Sequence, residues 1–146
     1  MTDFYNPHAL SRDRLRVVAS VLQLSPTFVV SDLAPVDAFY RRYFEAEVVV
    51  SNEWYRVFAI GKKPVHELAF MTARHDFQQC FRSGSANLNL RVDDVDAEFE
   101  RLRALDAPLR DAPTDKPYGV RSFQLFDPSG LCLYIYRPIA TDGVMR

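Results

Sequence analysis

Glu67 stands in the run HELAFMT, which reads as a strand over His66–Thr72. A desolvated carboxylate can serve as a general base, provided that a substrate proton lies within its reach. Its neighbour His66 points to the opposite face of a strand, so the two do not act together. Residues 87–92, NLNLRV, alternate strictly. Leu88, Leu90 and Val92 share one face, and Asn87, Asn89 and Arg91 share the other. Arg91 suits a carboxylate, and Glu67 suits a cation or a hydroxyl. A direct Glu67–Arg91 pair is the alternative, because buried charges need partners whatever the function. The chain has no Gly-x-Ser-x-Gly, no Gly-rich phosphate loop and no Cys–His pairing, so it displays no nucleophilic machinery. Cys80 and Cys132 lie outside any CxxC pattern and read as packing residues. His8 and His75 read as ordinary surface or partly buried histidines. Asp93, Asp94 and Asp96 read as a helix-capping cluster rather than a metal site.

The elements that must hold these residues occur twice. Residues 28–47, FVVSDLAPVDAFYRRYFEAE, resemble residues 88–108, LNLRVDDVDAEFERLRALDAP. Each run passes from an apolar strand ending in Val30 or Val92, through Asp32 or Asp93, into an amphipathic helix. The first helix, over 34–44, places Val36, Phe39, Tyr40, Tyr43 and Phe44 on one stripe. The second carries Val95, Phe99, Leu102 and Leu105. Strands are expected over 25–30, 47–51, 54–60 and 66–72 in the first half. In the second half they are expected over 87–92, near 109–111, and over 120–126 and 131–137. Asp127-Pro128-Ser129-Gly130 makes the last turn, with Pro in its second position. Both halves read strand–helix–strand–strand–strand, and two such modules facing each other form a cleft.

A chain of 146 residues is most simply one compact unit. We divide it into an N-terminal helical extension (1–23, with a helix over 7–22), one domain (24–138) and a C-terminal tail (139–146). Within the domain, module one spans 24–73, a linker 74–86 and module two 87–138. A net charge of −1 gives no reason to expect nucleic acid or an anionic membrane as partner. The apolar runs are too short to cross a bilayer, and the N-terminus lacks the plan of a signal peptide. Two cysteines do not make a disulfide framework, so a reduced cytoplasmic protein is expected.

The motifs VVSDLAPVDAFYRRYF, LRVDDVDAEFERLRA and YGVRSFQLFDPSGLCLYIYRP, in this order and spacing, resemble the vicinal oxygen chelate superfamily. That superfamily includes glyoxalase I, bleomycin-resistance proteins and extradiol dioxygenases. The resemblance covers residues 24–138 and implies an α+β fold of two paired βαβββ modules, each sheet curled into a half-open cup. It also implies a homodimer, with cups built within one chain or between two. Metal-dependent members place one ligand, chiefly His or Glu, on each of four strands. Those positions fall here on Ser25, Glu67, Asn87 and Tyr134. Only Glu67 is a usual ligand type, and catalytic sites generally need about three good protein ligands. No metal and no other cofactor is therefore expected.

Carried through the strands by the period of two, the cup-facing set is Ser25, Thr27 and Val29 on the first strand. On the others it is Glu67, Ala69 and Met71; Asn87, Asn89 and Arg91; and Cys132, Tyr134 and Tyr136. Trp54, Tyr55, Phe58 and Tyr118 are candidates to close the cup. This mixed lining suits a small organic ligand with ring surface and polar substituents. The leading expectation is a metal-free binding protein of the bleomycin-resistance type. One alternative is a lyase, isomerase or dioxygenase with an atypical site centred on Glu67, the one catalytic candidate. Another is a sensing or interaction domain.

Overall fold

The computed structural model describes residues 21–62 and 65–140. The helix expected over 7–22 falls outside them apart from Val21 and Leu22, as do His8 and residues 141–146. The first module runs β1 (Thr27–Val29), α1 (Ala34–Phe44), β2 (Glu47–Ser51), β3 (Tyr55–Ile60), β4 (His66–Met71). The second runs β5 (Asn87–Arg91), α2 (Val95–Ala104), β6 (Thr114–Asp115), β7 (Val120–Phe126), β8 (Cys132–Pro138). Each module forms a four-stranded sheet, ordered β1-β4-β3-β2 and β5-β8-β7-β6. The pairs β1–β4 and β5–β8 are parallel, and the others are antiparallel. No helix among the described residues is long and apolar enough to cross a membrane.

Both helices start and stop where local chemistry directs. Asp94 caps α2 by accepting the Ala97 N–H at 3.0 Å, as its sequence position requires. In α1 the cap residue is Leu33, and Asp32 accepts the Ala34 N–H at 3.1 Å instead. Pro35 sits in the first turn of α1, where a missing N–H costs nothing. The predicted apolar stripe is the buried face: Val36, Phe39 and Tyr40 in α1, Val95 and Leu102 in α2. Tyr40 packs against Phe58 and Phe70, each with ring centroids 5.4 Å away. Phe99 meets Phe123 edge-on at 5.3 Å.

The helix-side residues of both sheets join one core. Val30, Phe58, Leu68 and Phe70 belong to the same buried cluster as Phe123, Leu125, Leu133 and Ile135. The helix ends meet at its margin. Arg42 donates to the Leu105 carbonyl at 3.0 Å, and Arg101 donates to the Tyr43 carbonyl at 2.7 Å. Tyr40 donates from α1 to Asp127 Oδ2 in the β7–β8 turn at 2.6 Å, and both residues are buried. The other oxygen, Oδ1, accepts from the Ser129 N–H, the Ser129 hydroxyl and the Leu131 N–H. Gly130 closes this turn at φ 89°, with its N–H on the Asp127 carbonyl. A methyl group there would come within 2.9 Å of the Ser83 Cα, so the position needs glycine for space as well as for backbone.

The second strand of module two departs from expectation. The segment near 109–111 makes only an isolated bridge, Leu109 to Leu125, and the strand proper is Thr114–Asp115. The edge spends six residues, Leu109 to Thr114, where β7 spends four, Leu125 to Ser122. Pro108 precedes this stretch and Pro113 lies within it, and neither donates a backbone hydrogen bond. Asp111 fills in by accepting the Gln124 N–H at 2.7 Å through its side chain. Phe58 is a second correction: it is fully buried in the helix-side core and does not close a cup.

Tyr40→Phe keeps the ring but leaves Asp127 Oδ2 buried without its donor. We expect a loss of about 1–3 kcal/mol in unfolding free energy by urea denaturation. A loss below about 0.5 kcal/mol would show that the bond is dispensable.

Candidate functional site

The faces opposite the core carry the predicted site residues in two groups. On the first sheet, register sets Ala69 between Thr27 and Val57, Met71 between Val29 and Tyr55, and Glu67 beside Ala59. Continuing β1 backwards sets Ser25 opposite Glu67. On the second sheet, Cys132 lies between Asn87 and Phe126, Tyr134 between Asn89 and Gln124, and Tyr136 between Arg91 and Ser122. Thr27, Asn87, Asn89 and Arg91 are exposed. The interlocking contacts described above lie on the helix side, so each polar face looks away from the shared core.

The second face is organised by hydroxyls. Ser122 is fully buried and donates to the Tyr134 phenol oxygen at 2.8 Å. Tyr118, on the loop before β7, shares a hydrogen bond with the same oxygen at 2.9 Å. Burial pushes the Tyr134 phenol up to about 12; the Ser122 bond opposes this shift and Tyr118 adds to it. Tyr136 lies next along the strand, with ring centroids 6.1 Å apart. Beside them the Cys132 thiol donates to Gln124 Oε1 at 3.4 Å. Burial raises the Cys132 pKa, Arg110 acts against the rise and Asp111 with it. The thiol thus stays protonated and unreactive. Ser122 and Gln124 were not among the expected site residues. The alternation of VRSFQLF marks both, since they interleave with Phe123 and Leu125.

The first face is plainer. Glu67 is half-buried and forms no ion pair among the described residues. The other ion pairs of these residues, such as Arg121 with Asp96 and Asp115, fasten helix and strands. His66 pairs with Ile60 on the opposite face from Glu67, and His75 stacks on Phe77 in the linker at 5.3 Å. Trp54, beyond the end of β3, lies under the Arg74 guanidinium at 4.8 Å and beside Tyr55 at 5.5 Å. A separate cleft of about 270 Å³ opens at the start of α1, between Pro35, Phe81 and Pro128. It holds neither Glu67 nor Tyr134.

The duplication permits a test of the donor set. The Val30 N–H bonds to the Met71 carbonyl, and the Val92 N–H bonds to the Tyr136 carbonyl. The modules therefore superpose with Val30 on Val92 and Met71 on Tyr136. On that register Tyr134 corresponds to Ala69, and Glu67 corresponds to Cys132. The carboxylate lies one pleat away from symmetry with Tyr134, and the symmetric position has no donor at all. A hydroxyl, an amide, one displaced carboxylate and a protonated phenol do not fit a catalytic divalent site. No three His, Cys, Asp or Glu side chains come together as a metal-binding group among the described residues.

Two helices on two four-stranded sheets, in duplicate βαβββ order, define a paired-module α+β protein. The chain belongs to the Glyoxalase/Bleomycin resistance protein/Dioxygenase superfamily, whose family model matches residues 21–133. Solved structures agree on the fold. A glyoxalase/bleomycin resistance protein/dioxygenase from Nocardioides superposes with a TM-score of 0.70 at 18% identity, covering 90% of this chain and 91% of that one. A lactoylglutathione lyase from Agrobacterium tumefaciens gives 0.63 at 22% identity, covering 81% and 93%. The bleomycin resistance determinant encoded on transposon Tn5 gives 0.63 at 21%, covering 81% and 98%. No curated protein matches the chain in sequence.

The raised phenol has a signed consequence. The fold favours neutral Tyr134, so the stability this contributes is whole below its ordinary value of 10.0 and is lost as pH rises toward about 12. Alkaline titration followed by tyrosinate absorbance is expected to show a step near 12 that disappears in Tyr134→Phe. An unchanged titration curve in that variant would refute the assignment.

Proposed function

We propose that this protein binds a small organic ligand, bearing ring surface and polar groups, without a metal ion. What supports this reading is the phenol of Tyr134, held by Ser122 and Tyr118 at the position that the family resemblance aligns with a metal-binding carboxylate. Tyr134, Tyr136, Asn87, Asn89 and Arg91 offer rings, amides and a guanidinium on one face. Thr27, Ser25 and Glu67 offer hydroxyls and a carboxylate on the other. Because both faces look outward from one core, a closed cleft takes two chains. In our reading the first-module face of one protomer lies over the second-module face of its partner. Trp54 and Tyr55 then stand at the rim of the first-module face.

The binding test combines elemental analysis with a ligand panel. Protein purified without added metal should carry less than about one-tenth equivalent of any transition metal, far below the full occupancy of a catalytic site. Trp54 fluorescence should respond to some aromatic ligands. Tyr134→Ala and Arg91→Ala should each weaken that response by about 1–3 kcal/mol with the fold intact. Glu67→Gln should weaken cationic ligands more than neutral ones. Stoichiometric metal lost on mutation of Glu67 would favour instead the enzyme reading centred on that residue.

Light scattering is expected to give twice the chain mass of 16.8 kDa at micromolar concentration. A persistent monomer would remove the two-chain cleft.

A further inference from the structure

The hydroxyl cluster on the second sheet defines what kind of ligand atom it takes. Tyr134 Oη accepts the Ser122 proton at 2.8 Å, and Ser122 is fully buried, so that lone pair is committed from behind. The Tyr118–Tyr134 bond at 2.9 Å can run in either direction. If Tyr118 donates, Tyr134's own proton is turned toward the polar face. If Tyr134 donates, its proton rests on the Tyr118 oxygen, and that oxygen belongs to an exposed side chain on a loop. In both arrangements the Tyr134 proton is what the site has to give. A phenol whose oxygen already accepts hydrogen bonds is a stronger donor through cooperativity.

Resting on the ligand-binding reading above, we propose that Tyr134 is a hydrogen-bond donor subsite for an acceptor oxygen of the ligand, a carbonyl or carboxylate attached to an aromatic ring. Where Tyr134 donates to Tyr118, the Tyr118 oxygen holds that place, and the ligand oxygen replaces it. Where metal-dependent members present an anionic oxygen to a cation, this chain presents a proton to an oxygen. The phenol is neutral across the physiological range, and burial only moves its ionisation further away. Asn89 lies opposite Tyr134 in register and Tyr136 lies next along β8, placing an amide and a ring beside the donor.

The test uses three matched compounds, naphthalene, methyl 2-naphthyl ketone and 2-naphthoate, with affinities measured by ligand-observed NMR on the full chain. The ketone and the carboxylate should bind about three- to tenfold more tightly than the hydrocarbon, the range expected for one hydrogen bond. Tyr134→Phe, which keeps the ring, should abolish that preference by weakening the ketone and the carboxylate more than naphthalene. The melting temperature should fall because buried Ser122 loses its acceptor, but a fall in stability alone would weaken all three compounds alike. Tyr118→Phe, which removes the competing oxygen, should tighten the ketone. Equal binding of all three compounds overturns the donor subsite and leaves the ligand-binding reading standing. Weaker ketone binding in Tyr118→Phe overturns the replacement of one oxygen by the other. Failure of all three compounds to bind overturns the proposal together with the aromatic-ligand reading.

Discussion

The hydrogen bond from Tyr40 to Asp127 holds the two modules in a fixed relation. It runs from the middle of one helix to the tightest turn of the other module, and both groups are buried. Asp127 forms no ion pair among the described residues, and a buried carboxylate of that kind is tolerable only when its oxygens are satisfied. Tyr40 satisfies one, and the turn's own Ser129 and Leu131 satisfy the other. The turn that starts β8 is thereby locked to α1, and β8 carries Tyr134. The position of the second polar face relative to the first thus traces back to one phenol and one carboxylate on the opposite side of the sheets.

Much of this was legible in the residues. The apolar stripe gave α1 its full extent, Ala34–Phe44, and Asp94 marked the start of α2. Strict alternation in NLNLRV gave both faces of β5. Alternation assigns a side chain to a face of its own sheet, but it carries no information about what that face meets. The stripe likewise marks Tyr40 as buried and leaves its hydroxyl partner, 87 residues away, unstated. The displaced strand β6 shows the limit at an edge. There a single neighbour supplies the pairing, and prolines decide which residues can join it. Trp54 was readable as a candidate to close the cup, but its partner Arg74 comes from a linker without periodicity.

The donor set illustrates how duplication constrains function. Two modules of equal register place corresponding residues in corresponding pleats, so a site shared between them is naturally twofold. In this chain that symmetry is broken by chemistry: Ala69 faces the role that Tyr134 fills, and Glu67 faces that of Cys132. The middle of the first face is small and apolar, with Ala69 and Val57 nearly inaccessible, while the middle of the second carries the Ser122 and Tyr134 hydroxyls and the Asn89 amide. Such a division suits a ligand whose two ends differ.

The outer edges of both sheets carry a last consequence. Strand β2 is interrupted by a bulge between Val48 and Val50, and β6 is two residues long with Pro113 before it and Pro117 beyond it. On the inner side of the first sheet, the Phe81 N–H takes the Val29 carbonyl, covering part of the β1 edge. A foreign strand that approaches any of these borders meets a kink, a proline or an occupied carbonyl. The exposed valines of β2 are thus kept from templating fibrillar growth by the geometry of their backbone rather than by charge. This protection persists whichever residues the polar faces acquire, so those faces can diversify without making the chain prone to aggregate.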